Sequence, residues 1–254
     1  MADRPIIFSA PMIRALLAGQ KTQTRRILKP QPPEWATFCQ QPSMLNVEHR
    51  WVPSGLWRWS EPEQSPPRAL RAWPVDADGE HYWLSLRFAK GDRLWVRENC
   101  QAQEQASGQD GVFFPADEAW EPIQAGSRGA ADDWLVLYHY GRRRGAVVPS
   151  IHMPRWASRL TLLVTDVRVE RLNAMSPADA IAEGIKDLRT PEHTDFGIPG
   201  LVNAQHPVRA FWLLWDHING PGAWEANPWI VAITFSVHAR NIDHLVPATA
   251  EAAE

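Results

Sequence analysis

Ser9-Ala10-Pro11-Met12-Ile13-Arg14-Ala15-Leu16-Leu17-Ala18-Gly19 runs without a break into Gln20-Lys21-Thr22-Gln23-Thr24-Arg25-Arg26. The first part has the marks of a short helix over 11–18: a serine at the N-cap, a proline in the first turn, an apolar run and a glycine stop. Its C-terminal end delivers the chain into a lysine, two threonines and two arginines. The preceding Pro5-Ile6-Ile7-Phe8 reads as a brief strand.

Working outward, Gly91-Asp92 marks a turn before Arg93-Leu94-Trp95-Val96-Arg97-Glu98, whose alternation predicts a half-buried strand. Leu94 and Val96 fall on one face, and Arg93, Trp95 and Arg97 on the other. Trp134 to Tyr140 reads as a further strand, Gly141 to Gly145 as a loop, and 158–171 as a longer strand. Ser176-Pro177-Ala178-Asp179 opens a second helix over 177–183 that Gly184 ends. Pro207 starts a third over 207–218, with Phe211, Leu214, Trp215 and Ile218 at helical spacing. Trp229 to Phe235 reads as a closing strand. Strands distributed among three short helices predict an α+β domain whose sheet can close into a small barrel.

Two segments interrupt this order. Residues 30–74 carry nine prolines and five tryptophans, a density that opposes regular helix or central strand and suggests an irregular insertion pinned by aromatic packing. Residues 99–133 are polar, acidic and glycine-rich apart from Val112-Phe113-Phe114, and suggest a second insertion. One domain over 1–240, with insertions at about 30–86 and 99–150 and a frayed acidic tail at 241–254, is the expected organisation.

The composition excludes several classes. With 254 residues, 22% charged, 2 cysteines and a net charge of −3, the chain is neither disordered, collagen-like nor a disulfide scaffold. No run of about 18 apolar residues suggests a membrane span, and the Met1-Ala2-Asp3-Arg4-Pro5 start lacks a secretory signal, so a soluble cytoplasmic protein with free Cys39 and Cys100 is expected. There is no dinucleotide, P-loop, zinc-protease or nucleophile-elbow motif. His193-Thr194-Asp195 is the nearest thing to a ligand pair, and neither a metal nor a cofactor is expected.

The small net charge conceals segregation. Arg4 to Pro33 holds six cations and no acid, and Trp134 to Thr165 five arginines and no acid. If these segments share a face, it favours a phosphate-bearing ligand; if they do not meet, they are two solvated basic surfaces.

Gly19-x-Lys21-x-x-Thr24-x-Arg26 after a helix resembles the signature of ASCH domains, small PUA-like β-barrels associated with RNA and modified nucleosides. Three further segments agree in order: Gly91 to Glu98, Ala180 to Gly184, and Trp229 to Val237. Ser150 to Trp156 and Asn227-Pro228-Trp229 resemble a long, tryptophan-rich form associated with bacteriophages and prophages, which would place the protein in a host cytoplasm. These segments cover less than half the chain. The resemblance implies a PUA-like, mainly antiparallel barrel with flanking helices and long Trp/Pro-rich insertions, and a nucleoside, nucleotide or RNA as partner.

One branch of that family removes the acetyl group from N4-acetylcytidine with a lysine, a threonine and a glutamate. The resemblance carries these roles onto Lys21 as base, Thr24 as nucleophile and Glu183 as proton donor. The chemistry is sound in itself: a threonine hydroxyl needs a base, and a lysine serves as one when burial or neighbouring cations such as Arg25 and Arg26 lower its pKa. Arg25, Arg26, Trp95 and Arg155 are the candidate substrate contacts, Trp95 as a stacking surface for a base. Each residue also has a plain structural reading: Lys21 as a surface phosphate contact, Thr24 as a turn residue, Glu183 as an exposed acid. Glu183 sits at the helix end the macrodipole disfavours for an acid, which points to a cationic partner such as Lys21 or Arg26. The same trio serves a binding-only pocket for RNA or a modified nucleobase, and a lysine with a carboxylate is also compatible with a ribonuclease.

Overall fold

The computed structural model describes residues 2–60, 82–123, 130–191 and 194–245. Five strands build its main sheet: β1 (Asp3–Ile7), β2 (Gln23–Ile27), β3 (Arg93–Arg97), β4 (Thr161–Arg171) and β5 (Trp229–His238). Their spatial order is β1-β3-β4-β5-β2. β1 runs parallel to β3, and every other pairing in this sheet is antiparallel. β4 and β5 form the longest ladder, from Thr161 opposite His238 to Arg171 opposite Trp229, with a bulge between Val164 and Asp166. The alternation expected of 93–97 holds, since Leu94 and Val96 are buried against Leu162, Val164 and Ile233 while Arg93, Trp95 and Arg97 stay partly exposed.

The Gly-Asp turn before β3 has a chemical reason. Gly91 takes φ +88°, and the buried Asp92 carboxylate accepts from the backbone N–H groups of Ala2 at 2.8 Å and Ala89 at 3.1 Å. A charge inside the fold is tolerated because backbone donors satisfy it. It ties the start of β1 to the start of β3.

Four helices accompany the sheet: α1 (Ala10–Leu17), α2 (Ala130–Tyr138), α3 (Pro177–Ala182) and α4 (Pro207–Asn219). The three expected helices occur within a residue or so of their anticipated bounds. Ser176 and Asp179 form a reciprocal capping box on α3, whereas Ser9 occupies the N-cap of α1 without a side-chain cap. α2 is a correction. The apolar run Trp134 to Tyr140 was expected as a strand, but Trp134 and Leu137 face inward while Leu135 and Val136 are exposed, a helical and not an alternating pattern. A run this short cannot separate the two periods unaided.

The expected barrel is not closed. β1 and β2 are the free edges of the sheet and form no ladder with each other. The Arg26 guanidinium reaches across from β2 and donates to the Ile7 carbonyl of β1 at 2.7 Å. The chain passes between these edges through α1 and not through a hairpin, so no backbone ladder closes the seam. The architecture is thus mixed α+β, mostly sheet with few helices.

Both insertions are more regular than the sequence suggests. In the first, strands 38–40, 56–60 and 82–85 form a small sheet, and a hairpin joins 43–45 to 51–53. Trp59 is fully buried and packs edge-on to Tyr82 and Trp229, with ring centres 5.8 and 6.0 Å away. Prolines there bound the short strands instead of preventing them. Residues 61–81, including Trp73, lie outside the described residues. In the second insertion, strands 101–104, 110–114 and 119–122 form a meander that packs with α2 around a separate small core of Cys100, Val112, Phe114 and Trp134.

Residues 241 and 242, expected to belong to a frayed tail, pack on the fold. Ile242 is fully buried, and the Asn241 side chain donates to the carbonyls of Arg155, Trp156 and Ser158. Residues 246–254 lie outside the described residues. Cys39 and Cys100 are both free. Among the described residues, no helix is long and apolar enough to cross a membrane.

Candidate functional site

The segment Gln20-Lys21-Thr22 is stitched into place from two sides. The Gln20 and Lys21 amides donate to the Ala15 carbonyl at the end of α1, and the Thr22 amide to the Ala182 carbonyl at the end of α3. Gly184 then allows close approach. It has φ +102°, and a Cβ there would lie 3.2 Å from the Ala15 Cβ and 3.6 Å from the Lys21 Cβ. Only glycine suits both the conformation and the space.

This stitching brings together residues 162 apart in sequence. The Lys21 Nζ donates to the Glu183 carboxylate Oε2 at 2.7 Å and to the Glu183 carbonyl at 2.8 Å. Their exposures are 2% and 3%. Lys21 also lies 5.6 Å from the centre of the Phe8 ring. Burial, the largest influence, pulls the Lys21 pKa below the usual lysine value; Glu183 opposes this, and Arg26 and Arg25 add to the lowering.

Thr24, on β2 opposite Ile233, is 4% exposed, and its hydroxyl has no hydrogen-bond partner among the described residues. Arg25 follows with a completely buried side chain. Its guanidinium donates to Glu170 Oε1 at 2.8 Å, Glu183 Oε1 at 3.3 Å and the Gln23 side chain, and lies 3.4 Å from Asp179. Arg168 donates to Asp179 at 2.6 Å and lies 3.6 Å from Glu170, so two cations hold this cluster of carboxylates. Arg25 therefore positions Glu183; its charge is already matched by protein carboxylates.

Lys21, Thr24, Arg25, Arg26 and Glu183 line one cavity of about 480 Å³. Phe8 and Met12 supply apolar wall on one side, and Phe211, Leu214, Trp215 and Ile218 of α4 on the other. An apolar cavity of this size with a few converging polar groups has the form of a small-molecule site. Arg26 is half-buried at its rim, over the Phe8 ring at 5.3 Å.

Two expected contacts are not brought here. The Arg155 guanidinium is held by Asp3 and Asp243, each at 2.6 Å, near the start of β1. Trp95 lies on the outward face of β3 beside Arg97, whose guanidinium is 5.3 Å from its ring, and it does not line the cavity. Nor do the two basic segments make one free cationic face. Arg159 is buried against Glu98 and Asp117, so it and Arg155 are spent on protein carboxylates. Among the described residues no His/Cys/Asp/Glu group has the arrangement of a metal site, and His193 lies outside them.

Sequence reasoning missed Glu170, Asp179 and the wall from α4. The position of Glu183 at the disfavoured end of its helix was the one usable signal; it pointed to Lys21 or Arg26, and the partners are Lys21 and Arg25. Against family models, curated proteins and solved structures alike, the chain finds no match.

Proposed function

We propose that the chain is an ASCH-type, PUA-like domain and that the Lys21/Thr24/Glu183 cavity hydrolyses the amide of an N4-acylated cytidine. The observation that carries this reading is the buried 2.7 Å pair of Lys21 and Glu183 in the cavity that Thr24 also lines. In the proposed reaction the Lys21 ammonium first passes a proton across this hydrogen bond to the Glu183 carboxylate. That single transfer leaves a neutral amine to serve as base and a neutral carboxyl to serve as acid.

Thr24 Oγ1 then attacks the acyl carbonyl and gives its proton to Lys21. As the C–N bond breaks, the exocyclic amine of cytidine takes a proton from Glu183 and departs. The acyl group is left as an ester on Thr24, and water hydrolyses it to a carboxylic acid, restoring the hydroxyl. Arg26 at the rim is the cation available to the developing oxyanion.

The test is incubation of the purified protein with N4-acetylcytidine, following cytidine by chromatography. Lys21→Ala, Thr24→Ala and Glu183→Gln should each reduce turnover by about 10²–10⁴-fold, the usual worth of acid–base assistance. Substrate binding should survive Thr24→Ala. Absence of turnover by the wild type overturns the hydrolase.

A specific observation also favours a non-catalytic reader of RNA or a modified nucleobase. The Lys21 ammonium already donates to two oxygens of Glu183, and no group among the described residues engages the Thr24 hydroxyl. Tight binding of such a ligand without turnover, abolished by Lys21→Ala, distinguishes that reading.

A further inference from the structure

The seam between β1 and β2 holds a second cavity, of about 500 Å³, next to the first. Arg26 and Lys29 line both, so the two share a wall. Its floor is apolar, with Ile6, Leu28, Leu84, Phe88 and Val231. Around it stand Arg26, Lys29, Arg87 and Arg97, and no carboxylate lines it among the described residues.

None of these four cations is in an ion pair among the described residues. Arg26 donates to the Ile7 carbonyl and Arg97 to the Ile151 carbonyl, both uncharged acceptors, and Arg87 lies 5.7 Å from the centre of the Phe88 ring. Arg25, Arg93, Arg155 and Arg159, by contrast, each hold one or more carboxylates. Cations outside any ion pair among the described residues, gathered above a low-dielectric floor, create a strong positive potential. Guanidinium groups match phosphate oxygens in geometry and charge.

We infer that this second cavity is a phosphate site for the ligand whose base occupies the first. The inference rests on the nucleoside reading of the first cavity. A ribose leaving that cavity passes the wall formed by Arg26 and Lys29, and its phosphate meets the four cations. The phosphate belongs either to a mononucleotide or to the backbone of a single-stranded RNA.

The experiment compares binding of cytidine, cytidine 5′-monophosphate and a fluorescent single-stranded oligoribonucleotide over a range of salt concentrations, for wild type and for Arg87→Ala and Arg97→Ala. None of these ligands carries an acyl group, so the result is independent of catalysis. A phosphate-bearing ligand should bind the wild type at least about tenfold more tightly than cytidine, a factor one charge-assisted contact can supply. That advantage should fall as salt rises and shrink in both variants. A mononucleotide matching the oligonucleotide identifies the first source. A clear preference for the oligonucleotide, with a log–log salt slope falling by about 0.7 per contact removed, identifies the second.

Equal affinity for the three ligands overturns the inference, as does a phosphate advantage that both variants retain. If cytidine does not bind while the phosphate ligands show the stated salt and variant dependence, the nucleoside reading fails and the phosphate site stands. Circular dichroism of the two variants confirms that any loss is not unfolding.

Discussion

The Lys21 ammonium and the Glu183 carboxylate lie 2.7 Å apart with both side chains closed off from water. Each makes the other's burial tolerable: without Glu183 the Lys21 ammonium loses its carboxylate, and without Lys21 the Glu183 carboxylate keeps only Arg25, at 3.3 Å. Lys21→Met and Glu183→Met should therefore each lower stability by about 3–5 kcal/mol, while the double variant loses much less than their sum. Urea denaturation of the three proteins measures this, and simple additivity would count against the coupling.

The depressed pKa of Lys21 carries a pH signature. Between its folded value and the usual 10.5 of an unfolded chain, the unfolded state binds more protons, so stability rises with pH through that window. Below the folded value the burial penalty is felt in full. From pH 7 toward pH 10, the wild type should gain stability relative to Lys21→Met. A difference that stays constant across this range would show that the ammonium is not destabilised by burial.

Gly184→Ala should perturb the site through the backbone. Its φ of +102° disfavours any side chain, and the new methyl would press on the Ala15 Cβ at 3.2 Å. A residue forced into such a conformation costs on the order of 1–3 kcal/mol. We expect a lower melting temperature together with reduced ligand binding, because the strained backbone adjoins Glu183, the partner of Lys21. Wild-type melting would refute the close approach.

The first insertion is part of the main core through Trp59. Trp59→Ala should cost about 3–5 kcal/mol, the range for deleting a large buried aromatic. Trp51, also in the insertion, is 71% exposed, and Trp51→Ala should change stability by less than about 0.5 kcal/mol. Equal effects in denaturation experiments would show that the insertion does not share the core.

The sequence by itself determined the elements whose signals are local. The N-cap serine and first-turn proline of α3, the glycine stops after α1 and α3, and the alternation of 93–97 are readable because each depends on neighbours a few residues away. Thr24 and Arg25 were visible as chemistry-bearing residues, but not that Arg25 would be enclosed by Glu170, Asp179 and Glu183. Trp134 to Tyr140 went to a helix because its environment, the small core under the meander, decides between two periods that a seven-residue run leaves open.

Tertiary structure alone decided the pairing of Lys21 with Glu183 across 162 residues, the open seam between β1 and β2, and which arginines stand outside any ion pair among the described residues. Arg155 and Arg159 look in sequence like Arg26 and Arg97, yet Asp3, Asp243, Glu98 and Asp117 neutralise the first two. The physical reason is common to all three. A cap or an alternation is a property of consecutive backbone units, whereas an ion pair or a sheet edge depends on which distant surfaces packing brings within a few ångströms.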